Sequence, residues 1–177
     1  MTASVNTDLL PATREAFIER AEDLAGTGPV LRKCYDYWCS LRALAGDALP
    51  RRSMIDPSDI TGLLPYFRLV DLYEGDVLMP RYRLIGTTGR DVMGIDATGK
   101  RFIDLYDAAS YATGIARYRR IIERRLPFYF VGPVTLEGRD FISTERLMLP
   151  LGDAKGEVVG ICGVTVPVGG SQAAPST

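Results

Sequence analysis

Apolar positions recur at helical spacing through the first third of the chain and at strand spacing through much of the rest. Phe17, Ile18, Ala21, Leu24 and Ala25 predict a helix over about Thr13–Ala25, ended by Gly26, Gly28 and Pro29. A second helix is predicted over about Val30–Ala45. Its stripe is Leu31, Cys34, Tyr35, Trp38, Leu41 and Ala45, and Gly46 stands at the stop. Asp56-Pro57-Ser58-Asp59 is a helix start: Asp56 can cap, and Pro57 lacks an N–H where none is needed. The pattern then turns to strands at Tyr66–Tyr73 and Arg81–Ile85, joined across Glu74-Gly75-Asp76. Thr87–Met93 reads as a short helix ended by Gly94, and Phe102–Tyr106 as an apolar turn. A long helix follows over about Ala108–Arg125, with Asp107 as cap and Tyr111, Ile115, Tyr118 and Ile122 as its stripe. After Pro127 come three strands, Phe128–Glu137, Phe141–Leu149 and Glu157–Val166. Their short Gly-bearing connections make them antiparallel neighbours.

Blocks of strands separated by helices, rather than strict alternation, predict an α+β domain. The expected architecture is a five-stranded antiparallel sheet with helices on one face and flanking N-terminal helices. The expected division is an extension with a helix at 1–29, a domain at 30–167 that includes its leading helix, and a polar tail at 168–177. Residues 1–10 and 169–177 lack apolar periodicity and read as mobile ends. A chain of 177 residues can bury about 70% of its unfolded surface, enough for a core without disulfides or metal.

Charge narrows the partners. With 21 basic and 22 acidic residues the net charge is −1, so no bulk field favours nucleic acid or an anionic membrane. No apolar run reaches membrane-spanning length, and Met1–Leu10 does not have the form of a secretory signal. Cys34, Cys39 and Cys162 have no CxxC spacing and read as reduced thiols of a cytoplasmic protein. Histidine is absent, which removes Ser-His-Asp and Cys-His catalysis, His-ligated haem and mixed Cys/His zinc sites in this chain.

The order of elements, together with MGIDATGKRFIDLY at 93–106, resembles the Per-Arnt-Sim (PAS) sensor fold. More specifically, the chain resembles a bacterial subfamily of short stand-alone PAS proteins. The residues that carry this are Trp38 with Leu41-Arg42, then Leu49-Pro50-Arg51-Arg52, then Asp56-Pro57-Ser58-Asp59-Ile60 with Leu63-Leu64-Pro65, and finally Arg81-Tyr82-Arg83-Leu84-Ile85-Gly86-Thr87. The resemblance covers about residues 30–167. It implies a ligand space between the sheet and the helical layer, but no particular ligand, cofactor or catalytic residue. Phe67, Leu69, Leu84 and Cys162 are wider candidates to line that space. The expected ligand-binding set is Tyr82, Met93, Phe102, Tyr106, Tyr118, Ile122, Phe130, Arg146 and Met148. For each of these residues taken alone, ordinary core packing is the commoner explanation of its type and spacing. The tyrosines stand out because a buried phenol needs a partner.

Other chemistry is weaker. Gly94-Ile95-Asp96-Ala97-Thr98-Gly99-Lys100 fits GxxxxGK, but Arg101 stands where a phosphate-binding loop needs a hydroxyl, and no strand leads into it. Arg117, Arg119, Arg120, Arg124 and Arg125 read as a solvated helix face. Glu145 and Arg146 read as ordinary exposed charges unless one points inward. No NCRFLQ-like flavin-photosensor string occurs, and none of the cysteines suits a thioester-bound chromophore.

The function these readings support is a non-catalytic sensory PAS module. It would bind a small, mostly apolar ligand or a protein partner and relay the change through its N-terminal helices. Tyr35, Trp38 and Leu41 are the expected dimer or transmission contacts, with a homodimer and a protein partner for output. Two alternatives stay open: a ligand-free assembly domain, and a small enzyme using a Tyr or carboxylate in the same pocket. A buried acid with a raised pKa in that pocket would favour the enzyme.

Overall fold

The computed structural model describes residues 12–168; the expectations for 1–10 and 169–177 lie outside the described residues. Its strands are β1 (Arg14–Phe17), β2 (Phe67–Glu74), β3 (Val77–Ile85), β4 (Phe128–Pro133), β5 (Ser143–Gly152) and β6 (Val158–Val168). They form one sheet in the order β1-β4-β5-β6-β2-β3, with every neighbouring pair antiparallel. The helices are α1 (Pro29–Leu44), α2 (Thr87–Met93) and α3 (Ala108–Arg124), with short 3₁₀ turns at Ala21–Leu24, Arg52–Met54, Pro57–Ile60 and Phe102–Asp104.

The sheet has six strands where five were expected, and the extra one comes from the segment expected to be helical. Arg14–Phe17 pairs with Phe128–Val131 at the edge of the sheet, and the Ile18 N–H donates to the Pro127 carbonyl at 2.8 Å. An isolated helix of about a dozen residues is marginal, so the edge ladder outweighs local periodicity. Asp23 then stops the strand: its carboxylate accepts from the amides of Glu19 and Arg20 at 2.8 and 2.9 Å, which leaves only the single 3₁₀ turn at Ala21–Leu24. Arginines of α3 hold the strand down. Arg117 and Arg120 reach Glu15 at 3.3 and 2.8 Å, and Arg124 stands 4.9 Å over the Phe17 ring. The basic face expected to be solvated is thus partly a clamp on β1.

Both faces of the sheet are covered. On one, α1 buries Leu31, Cys34, Tyr35 and Trp38 against Phe67, Tyr129, Val131, Leu147, Leu149, Cys162 and Val164. The Trp38 Nε1 donates to the Pro150 carbonyl at 3.0 Å. On the other, α3 and the 102–104 turn cover Val70, Tyr82, Phe128, Phe130, Met148 and Ile161. The caps read from sequence are formed: Asp56 accepts from the Ser58 amide and Asp107 from the Ser110 amide, each at 2.9 Å. Gly94 ends α2 with φ of 72°, a left-handed conformation that favours glycine.

Candidate functional site

Two adjoining cavities lie between the α3 face of the sheet and the helical layer. One is enclosed by β2, β3, α2 and the chain after β4; the other runs along α3. Their volumes are about 30 and 50 Å³, and both open partly to solvent. Arg68, Tyr82, Tyr106, Thr135 and Arg146 line both, so these side chains form the partition between them. The first is otherwise largely apolar, with Ile85, Val92, Met93 and Val134. The second adds Phe102, Tyr111, Arg117, Tyr118 and Met148.

The sheet registers place the two partition arginines. Arg68 is the second residue of β2, between Phe67 and Leu69, which pack toward α1. Arg146 lies on β5 between Glu145 and Leu147, and strand alternation turns it away from the Leu147 side. Arg68 is only 6% exposed. Its Nε and one terminal nitrogen are buried with no hydrogen-bond partner among the described residues. Arg146 is partly buried. Its Nε donates to Thr144 Oγ1 at 2.8 Å, and its guanidinium carbon stands 5.3 Å over the Phe130 ring. Arg117 covers the same ring at 4.1 Å. Loss of hydration, and then the nearby Arg68 charge, pull Arg146 below the ordinary arginine range. No aspartate or glutamate lines either cavity among the described residues.

The phenols complete the partition. The hydroxyls of Tyr82 and Tyr106 are hydrogen-bonded at 2.9 Å, and the Phe102 ring packs 4.4 Å from Tyr82 and 5.5 Å from Tyr106. Burial, followed by the neighbouring Tyr82, pushes Tyr106 well above the usual phenol value. Burial pushes Tyr118 up to about 12. Both of these phenols therefore stay neutral near pH 7.

Seven of the nine residues expected to line a ligand space meet at the cavities: Tyr82, Met93, Phe102, Tyr106, Tyr118, Arg146 and Met148. Phe130 lies beneath the guanidiniums of Arg117 and Arg146 rather than on the cavity surface. Ile122 packs into the α3 core. Of the wider candidates, Phe67 reaches the first cavity. Leu69 and Cys162 belong to the α1 side of the sheet, and Leu84 is exposed at 38%. Arg146, read as an ordinary exposed charge, points inward instead, while Glu145 is on the other face and accepts from the Tyr129 hydroxyl at 2.6 Å. Arg68, Arg117, Thr135 and Thr165 were not expected. In YFRLVDLY, Arg68 alternates with the apolar Val70 and Leu72, and that shared face is the local signal that could have marked it as buried.

Tyr35, Trp38 and Leu41 are 7%, 2% and 5% exposed. Within the single chain the cover of Tyr35 and Trp38 is intramolecular, from the core between α1 and the sheet. The GxxxxGK segment is a loop pinned to β3, with the Gly99 amide donating to the Tyr82 carbonyl at 2.7 Å and only a 3₁₀ turn after Lys100. Among the described residues no His/Cys/Asp/Glu group could hold a metal, and no helix is long and apolar enough to cross a membrane.

Cys34 and Cys162 sit in the α1 core, away from the cavities. Burial pushes Cys34 up to about 12 and Cys162 well above its ordinary value. We expect native protein at pH 7.5 to leave both thiols unalkylated by iodoacetamide over an hour, while urea-unfolded protein takes up label at both, read by peptide mass spectrometry. Labelling of Cys34 at the unfolded rate would contradict its burial.

Residues 27–166 match the family model described as PAS domain. No curated protein matches. Among solved structures, the chain is similar to one titled as an RNA-binding Light-Oxygen-Voltage receptor. The TM-score is 0.53 at 10% identity, over 89% of this chain and 39% of that one. The chain thus spans well under half of that receptor's length. It is also similar to a structure titled as a flavin-analogue study of a Light-Oxygen-Voltage domain, with TM-score 0.48 and 14% identity over 63% and 82% of the two chains.

Proposed function

Because the chain belongs to the PAS domain family, we propose that it is a sensory module that binds a small ligand between sheet and α3 and relays occupancy to α1. The observation that carries this reading is the double cavity, whose partition holds Arg68 with two buried nitrogens that have no partner among the described residues. A domain built only for assembly gains nothing from that arrangement, because unpaired buried polar atoms cost stability. An acid–base enzyme would be expected to bring a carboxylate to the cavity, and none lines it among the described residues.

The sheet itself supplies the route. Arg68 and Arg146 face the ligand space, while their strand neighbours Phe67 and Leu147 belong to the core that holds α1. A shift of β2 or β5 at the cavity therefore changes the surface on which Trp38 sits. The relay can be no larger than the ligand's differential affinity for the two arrangements. Output passes to a protein partner that reads α1 by its outer face, which carries Arg32, Lys33, Asp36 and Ser40.

Trp38 is the only tryptophan, so its emission reports on the contact between α1 and the sheet. Protein purified gently from its own host should show, by native mass spectrometry, a stoichiometric small-molecule adduct that collisional activation removes. Stripping that molecule should shift the Trp38 emission. A bare mass together with an emission unchanged by dialysis would defeat the sensory reading and favour the assembly one.

A further inference from the structure

Resting on that reading, we infer that the ligand is a small organic monocarboxylate, its carboxylate held between Arg68 and Arg146 and its apolar body lying toward Ile85, Val92 and Met93. Arginine remains charged in any protein environment, so two guanidiniums share a partition with no acidic side chain on either side of it. Arg68 is the stronger sign. It is 6% exposed, lines both cavities, and two of its nitrogens have no partner among the described residues. A buried cation without an acceptor is costly unless something else supplies the negative charge.

The fork of a guanidinium matches the two oxygens of a carboxylate, which gives bidentate recognition rather than a point contact. The phenols favour the same group. Tyr82 and Tyr106 spend one hydroxyl hydrogen on each other at 2.9 Å, which leaves the second free to donate to an anion. The first cavity is largely apolar beyond its arginines, which suits a hydrocarbon or aromatic body and would leave a bare inorganic anion poorly surrounded.

The test uses the full chain in low-salt buffer. The probes are straight-chain carboxylates from acetate to decanoate, with benzoate and phenylacetate, each set against its neutral amide, and with inorganic phosphate as a further arm. Isothermal titration and thermal melting are the readouts. At least one carboxylate is expected to bind saturably and raise the melting temperature, with its amide at least tenfold weaker and phosphate without effect. Arg68→Met is expected to weaken that carboxylate at least tenfold and to raise the melting temperature of ligand-free protein, which a merely structural arginine would not do. Amides that bind as well as acids would overturn the carboxylate assignment and leave the ligand-binding reading standing. Binding by phosphate alone would overturn the monocarboxylate. If neither acids nor amides bind, the monocarboxylate assignment falls, and the native mass and Trp38 emission measurements decide the sensory reading separately. A folded Arg68→Met protein with a lowered melting temperature would make Arg68 a structural residue and overturn its role. The comparison of acid with amide on the unaltered protein holds even if that variant does not fold.

Discussion

Between pH 9 and 12 the domain is expected to lose most of its stability, well before its guanidinium groups titrate. Cys34 is 1% exposed, and burial raises its thiol from 9.0 to about 12. Tyr118, 4% exposed, is raised from 10.0 to about 12 by the same cause. In both, the folded state holds the proton more tightly than the unfolded chain. The stabilisation is therefore complete below pH 9 for the thiol and below pH 10 for the phenol, and it is lost as pH climbs through the folded values. Every tenfold difference in proton affinity between the folded and unfolded chain is worth about 1.4 kcal/mol, so Cys34 accounts for about 4 kcal/mol and Tyr118 for about 3 kcal/mol. Net stabilities of domains this size are about 5–15 kcal/mol, so the sum is large enough to unfold the chain. Cys162 and Tyr106 move in the same direction and add to the loss. Urea melts followed by far-ultraviolet dichroism under reducing conditions, at half-unit steps from pH 8, should show the midpoint falling from pH 9 onward. A Cys34→Ala/Cys162→Ala protein should move the onset to about pH 10, where the phenols of the unfolded chain begin to ionise. A midpoint that stays flat across the whole window would mean that these groups are hydrated in the native state.

Trp38→Ala is expected to cost about 3–5 kcal/mol, the range for removing a large buried aromatic. Trp38 is 2% exposed and is the largest side chain between α1 and the sheet. The truncation leaves a cavity, and it also strips the Pro150 carbonyl of the indole donor at 3.0 Å. Trp38→Phe separates the two effects. It keeps most of the volume and loses the donor, for an expected cost of about 1–3 kcal/mol. Equilibrium unfolding in urea measures both. If α1 is the relay, the Phe variant should still bind ligand at the far face of the sheet, because the indole lines neither cavity. A cost under about 1 kcal/mol for Trp38→Ala, well below the usual range, would show that α1 is loosely docked, and the route from the cavity to α1 would fail with it.

Much of the domain was legible along the chain. Strands β2 to β6, the hairpin β2–β3 and the antiparallel run β4–β5–β6 followed from alternation and short Gly-bearing turns, whereas the β6–β2 pairing joins distant segments and had no such local signal. Both caps at Asp56 and Asp107 were readable because capping is a local hydrogen bond between a side chain and an amide two or three residues on. The stripe Leu31, Cys34, Tyr35, Trp38 and Leu41 was read correctly as needing cover. What it could not reveal was that the chain's own sheet supplies that cover for Tyr35 and Trp38.

The candidate site was half legible, and the missing half has one cause. Alternation tells which residues share a face of a strand, not which face holds the ligand. Here α1 closes one face and α3 the other, so both sets of alternating positions are largely covered. Arg68 and Arg83 look alike in sequence, one in YFRLV and one in RYRLI, yet Arg68 is buried and Arg83 is exposed. Arg146 was identified as a candidate, but only the pairing of β5 with β4 and β6 turned it inward.

Residues near one another in the chain set the helices, turns, caps and strand pattern of this protein, because hydrogen bonding and periodicity act within a few positions. The tertiary structure decided the rest. It drew Arg14–Phe17 into the sheet, hid Trp38 within its own chain, and brought Arg68, Tyr82, Tyr106 and Arg146 from four separate segments to one partition. Those outcomes depend on which edge, face and cavity remain after the layers pack, and long-range packing leaves no local trace in the sequence.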